Sequence, residues 1–299
     1  MKFIKKAAAL LLAFLMLLVP ATALADETNV TDTTTAESFV CYGDDLNSEQ
    51  FEKVMNLLGA DLSKDQLIKV TIDDEKALLG SIISADKIGS RSLSSARVTL
   101  TGEGTGISVT TQNINWVTSS MYSSALATAG VDNARIVVAA PVEVSGTAAL
   151  AGILKAYESA ASTQLSDEAK AVAGSEMVLT GDLADMIGSD DAVELLAMVK
   201  NAIAEYHLDD YDSLRPYVEQ GAKQLGVQLT EDQIDQITKL GVQIAKLDLD
   251  PEKLAGQLNG LVDNIQKIQK VQQSAGSIFT NIKTAVQGFF NWIGSWFKH

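Results

Sequence analysis

The sequence predicts an α+β or three-layer α/β domain over residues 38–161, an all-α helical region over 162–275, and an amphipathic aromatic helix over 276–299. Three observations carry this reading. Short β-rich runs alternate with helical patterns in the first half, strand patterns stop near Ser166, and the last segment gathers its aromatic residues on one side.

Taken in order, the chain opens with Lys2, Lys5 and Lys6, the apolar run Ala7–Val19, Pro20, and the small-residue triplet Ala23-Leu24-Ala25. This is the pattern of a secretory signal peptide over 1–25, cleaved after Ala25. No later apolar run reaches the roughly eighteen residues that a membrane-spanning helix needs. Residues 26–37 are polar, Thr-rich and aperiodic, and read as a flexible leader.

Ser38–Tyr42 is the first strand, and a helix follows over Ser48–Leu58. Leu67–Ile72 alternates and reads as a strand, Asp74–Ile83 as a short helix. Leu93–Thr101 and Ile107–Ile114 alternate well, and the Gly102–Gly106 stretch between them predicts a hairpin. A helix over Thr118–Ala129 stops at Gly130. Arg135–Ala140 is a continuous apolar run that suits a central strand. Gly146–Ala160 is a helix rich in small residues, which would let it lie close to a sheet.

Helices are then expected over Asp167–Ile187, Asp191–Tyr206, Ser213–Leu225, Glu231–Leu247, Glu252–Gln273 and Gly276–Lys298. Asp250-Pro251-Glu252 is a strong start signal: a capping carboxylate, Pro at the first helical position, then an acidic residue. Leu254, Leu258, Leu261, Ile265 and Ile268 form a seam against another helix. Asn47 with Gln50 and Thr230 with Gln233 fit capping boxes, stapled by Leu46 with Phe51 and Leu229 with Ile234.

Composition excludes several classes. The 299 residues are 46% hydrophobic and 20% charged with only 4 Pro, which is ordinary for a globular chain. Lys plus Arg number 23 against 38 Asp plus Glu, a net charge of −15. That charge argues against nucleic-acid binding, which works by neutralising phosphates. The single Cys41 cannot form an intrachain disulfide, and its β-rich neighbours point to burial.

Catalytic motifs are weak. Ser84 and Lys87 match S-x-x-K, but no S-D-N or K-T-G follows. Gly102, Gly104 and Gly106 lie between strands and do not open a helix, so they are not a phosphate loop. Ser145-Gly146-Thr147 does follow a strand and open a helix, which makes it a weak candidate for anion or ligand contact. Glu143 nearby would repel an anion, and capping by Ser145 is the plainer expectation. Asp209, Asp210 and Asp212 lack the Gly and Glu of a calcium loop, and Asp212 reads as a helix cap. His207 and His299 are the only histidines, too few for a Ser-His-Asp site or a His-based metal centre. No cofactor, metal or catalytic residue is expected.

The tail is the informative part. From Asn264 to His299 there is no Asp or Glu, and Lys267, Lys270, Lys283 and Lys298 make the segment basic. On a helix, Ile278, Phe279, Ile282, Val286, Phe289, Phe290, Trp292, Ile293, Trp296 and Phe297 fall within an uninterrupted arc of about 160°. With Lys283 and Lys298 beside it, this face suits a membrane interface or another envelope protein. The same face would equally suit docking on the body of the protein or on a second copy.

Ile88-Gly-Ser-Arg91-Ser-Leu-Ser-Ser95, the run Gly104–Ile114, Met121-Tyr122, Thr128–Val131 and above all Pro141–Leu150 leading to Lys155-Ala-Tyr-Glu158 resemble the YpuA-like secreted proteins of Gram-positive bacteria, a family of unknown function. The resemblance covers most of the mature chain and is densest between 80 and 160, and the aromatic C-terminal helix fits it too. Cys41 departs from it, where a plain apolar residue is expected. The resemblance implies an exported cell-envelope protein and brings no catalytic residue with it. The leading expectation is therefore a non-enzymatic exported binding or structural protein held near the membrane by its last helix. The rivals are an envelope hydrolase with a carboxylate- or Ser-based site in the first domain, and a self-assembling protein closed by the aromatic tail.

Overall fold

The apolar alternation of the first half builds one five-stranded sheet in the computed structural model, which describes residues 38–80 and 90–273. β1 (Ser38–Gly43), β2 (Gln66–Val70), β3 (Ser95–Leu100), β4 (Ile107–Ile114) and β5 (Ala134–Val144) lie in the order β2-β1-β3-β5-β4. β1 is parallel to β2 and β5 is parallel to β4, while β3 runs antiparallel to both β1 and β5. Successive side chains point to opposite faces. Phe39, Cys41, Ala96, Val98, Ile136 and Val138 line one face, and Val40, Val137 and Ala139 line the other.

Helices cover both faces. Val54, Met55 and Leu58 of α1 (Ser48–Leu58) pack on the Val40 face. α3 (Ser119–Thr128) and α4 (Thr147–Ala161) cover the opposite face through Tyr122, Leu126, Leu150, Ile153 and Leu154. α2 (Ile72–Leu79) lies against α4. The parallel pairs β1–β2 and β4–β5 step the same way across the sheet, yet α1 and α3 lie on opposite faces. The two crossovers therefore have opposite hands, although the right-handed form is strongly preferred.

The rest of the described chain is helical: α5 (Asp167–Ile187), α6 (Ser189–Tyr206), α7 (Tyr211–Leu225), α8 (Glu231–Ala245) and α9 (Pro251–Gln273). Overall the protein is α+β. Ala173, Met177, Val178, Val193, Leu261 and Ile265 share the core beneath the sheet, so α5, α6 and α9 are continuous with it. A second core, with Leu195, Leu196, Val199, Leu214, Val218, Ile237 and Leu240, joins α5 and α6 to α7 and α8. Leu254, Leu258, Leu261 and Ile265 are buried as the seam predicts, with α3 and α6 beneath them.

Most caps follow the sequence. Asn47 with Gln50 and Thr230 with Gln233 form reciprocal capping boxes. Asp250 Oδ1 accepts the amides of Glu252 and Lys253. Thr71 and Asp74 form a further box, so the predicted strand over 67–72 ends at Val70 and α2 begins at Ile72. Asp210, not Asp212, caps α7 through the amide of Ser213.

The predicted β3–β4 hairpin does not form, because β5 lies between the two strands. Its Ile136-Val137-Val138-Ala139-Ala140 run needs cover on both faces and pairing on both edges, which only an interior position gives. The glycine-rich loop instead bridges over the start of β5. Thr101 donates to the Asn133 carbonyl (3.0 Å), and Gly106 to the Asn133 side chain (2.9 Å).

Candidate functional site

β1, β2, β4 and β5 all point the same way, so their carboxyl ends share one edge of the sheet. There the sheet parts. The segment leading into β3 follows β1, with the Ser92 amide on Asp45 Oδ2 (2.7 Å). β5 beyond Ala139 follows β4, with Asn115 on the Val144 carbonyl and Val117 on that of Ser145 (both 3.0 Å). The Ala140 carbonyl is taken by Asn113 Nδ2 (2.8 Å) and that of Pro141 by Lys53 Nζ (2.7 Å). Such an opening at strand carboxyl ends is where open α/β sheets place ligands.

Ser145, Gly146 and Thr147 come together at this edge. The N-cap of α4 is Gly146, with no side-chain cap, so Ser145 does not fill the capping role expected of it. Gly146 sits at φ 96, and a Cβ there would lie 2.5 Å from Ile114 and 2.6 Å from the Tyr122 hydroxyl. That hydroxyl donates to the Gly146 carbonyl (2.5 Å). Thr147 Oγ1 donates to Glu75 Oε1 (2.5 Å) and, having one proton, receives Ser145 Oγ at 3.3 Å. The group that the Thr147 hydroxyl meets at the first turn of α4 is the carboxyl of Glu75.

Glu75 is fully buried, and its Oε2 has no hydrogen-bond partner among the described residues. Burial pushes its pKa up to about 7, against the smaller opposing effect of the Thr147 hydrogen bond. Tyr122 is pushed well above its usual value by burial, then by the nearby Glu75 and Cys41. Cys41 is buried as expected. Its Sγ lies 3.4 Å from the Ala96 carbonyl, and burial raises the thiol to about 12, far from the thiolate a nucleophile needs.

A second polar cluster sits where α3 meets α5 and α6. Lys200 Nζ donates its three protons to Glu176 Oε1 (2.7 Å), Ser124 Oγ (2.8 Å) and the Ser124 carbonyl (3.0 Å), and Thr128 Oγ1 lies 3.3 Å away. Ser124 Oγ donates to Glu176 Oε1 (2.5 Å) and Thr128 Oγ1 to Glu176 Oε2. All four residues are buried, and burial holds the lysine below its ordinary pKa against the pull of Glu176. A serine beside a lysine and a glutamate has the ingredients of a nucleophile with its base, but here they are sealed in the core. Glu194 on α6 is also buried, with Oε1 unpartnered among the described residues. Its pKa rises to about 7 through burial, then through Asp191 and Asp190.

Glu75, Glu176 and Lys200 match no motif in the sequence. The available signal was position: each charge falls on the apolar side of its helix, Glu75 one turn from Leu79, Glu176 beside Met177, and Lys200 one turn from Leu196. Among the described residues no group of three or more His, Cys, Asp or Glu is placed to hold a metal ion. Nor is any helix among them long and apolar enough to cross a membrane. The predicted contact helix, Ile278 to Lys298, and the pair Ser84 and Lys87 lie outside the described residues.

The chain is a member of the family described as protein of unknown function (DUF1002), whose model matches residues 42–261. It is 34% identical over 285 residues to the uncharacterized protein YpuA of Bacillus subtilis (strain 168), an alignment covering 93% of this chain and 96% of that protein. No solved structure matches it.

Proposed function

We propose that the protein is an exported, non-enzymatic component of the cell envelope that binds a partner and is held at the membrane surface by the amphipathic helix over 278–298. The observation that carries the non-enzymatic reading is the burial of reactive groups. Cys41, Glu75, Ser124, Glu176 and Lys200 are each at most 1% exposed, and a substrate must reach its nucleophile or base. Export rests on the signal pattern from Lys2 to Ala25, and membrane contact on the arc of Phe and Trp between Phe279 and Phe297.

Vesicle co-sedimentation tests this with the full mature chain, residues 26–299, and a variant carrying Phe289→Glu, Trp292→Glu and Trp296→Glu. Vesicles of neutral phosphatidylcholine, with and without anionic phosphatidylglycerol, are used at low and moderate salt. The native chain is expected in the pellet and the variant in the supernatant. A native chain that stays in the supernatant with both vesicle types ends the membrane reading. If the variant also melts at lower temperature, the aromatic face belongs to the fold.

A further inference from the structure

We propose that Glu75 is a proton-dependent clasp: its neutral carboxyl group lets α2 seat on the first turn of α4, and loss of the proton frees α2 while the sheet stays folded. The proposal stands on how α2 is held. This helix has 8 residues, and only Glu75 and Leu79 are buried along it. Its polar attachments to α4 are the Asp74–Lys155 ion pair and the contact of Glu75 with Thr147. The ion pair is half-exposed, so screening leaves it a weak tether.

Among the described residues no charged group pairs with Glu75. α4 presents the hydroxyl of Thr147, while its Lys155 is engaged by Asp74. α3 presents the phenol of Tyr122, and β1 the thiol of Cys41 behind it. Of the charged groups on α5, which also packs on α2, Lys170 pairs with Glu158 and Asp167, and Glu176 pairs with Lys200. An ionised Glu75 would be a buried charge with one hydrogen bond and an unpartnered oxygen. Opening α2 would return it to water. The raised pKa of about 7 agrees, its chief cause being burial.

The sign follows. Below the ordinary value of 4.5 the carboxyl is neutral whether α2 is seated or free. Between 4.5 and about 7 the seated form keeps a proton that the free form releases, so seating weakens as pH rises, and above about 7 the penalty is complete.

Hydrogen exchange read by mass spectrometry tests the clasp on the mature chain, comparing native protein, Glu75→Gln and Thr147→Val from pH 5 to 8. Comparing proteins at the same pH cancels the intrinsic dependence of exchange on pH. Over 72–79, opening of the native protein relative to Glu75→Gln is expected to rise on the order of tenfold to a hundredfold across this range. Peptides from β1, β3 and β5 should not follow it. Thr147→Val removes the one donor favouring the ionised form, so its midpoint should move to higher pH. Equal pH dependence in native protein and Glu75→Gln would overturn the proposal, as would a matching rise in the sheet strands. Should Glu75→Gln fail to fold, an unmoved midpoint in Thr147→Val would overturn it equally.

Discussion

Lys200 is a charge held wholly inside the protein. Its ammonium is surrounded by four oxygen atoms, one of them from a carboxylate, and none of this reaches solvent. Breaking such a pair leaves the partner charge stranded, which is worse than removing both. Lys200→Met is therefore expected to lose about 3–5 kcal/mol in urea denaturation. The double variant Lys200→Met/Glu176→Leu should lose less, because Ser124 and Thr128 can turn their hydroxyls to carbonyls of their own helix. A double variant as unstable as the single one would show that the cluster is held by something other than charge. No local pattern foretold this site. Glu176 and Lys200 are 24 positions apart and Ser124 another 52 from Glu176, so only the packing of three helices brings them together.

At the scale of elements, local chemistry was a good guide and pairing was not. The helices over 48–58 and 167–187 and the strand over 107–114 begin and end where their caps and alternation indicate. Caps are short-range, so a sequence displays them openly. The hairpin was misread for the complementary reason: a glycine-rich loop between two alternating runs says nothing of a third strand about 30 residues later that belongs between them. The small residues of α4 do bring it close to the sheet. Gly152 brings that helix so close to the sheet that a Cβ would stand 2.6 Å from Cys41 Sγ and 3.0 Å from Val70. Gly152→Val should lower stability by about 1–3 kcal/mol. Cys41→Ala in the same chain should recover part of that loss, with both effects read from thermal melting.

Across the whole molecule, acid should stabilise. Asp61, Asp210 and Asp235 are held below their ordinary range chiefly by hydrogen bonds, and Asp74 is lowered too, burial there being outweighed by its hydrogen bonds to Lys155 and Thr71, so all four stay ionised from pH 5 to 8. Glu75 and Glu194, each raised from 4.5 to about 7, titrate inside that window. Their penalty grows as pH rises, up to about 3 kcal/mol each. The melting temperature is expected to be higher at pH 5 than at pH 8. Glu75→Gln with Glu194→Gln should remove most of the difference, and a profile that keeps its slope in that variant would point to other groups. The strand order carries a different consequence, in time. β3 and β4 emerge from synthesis before β5 and are joined by a loop able to close them as a hairpin, yet the finished sheet needs them about 9.6 Å apart with β5 between. Early pairing of β3 with β4 is thus a competitor of the native sheet, and it must come undone before the chain's most apolar strand can enter. The order in which strands appear and the order in which they belong are opposed, so insertion of β5 is expected to slow folding.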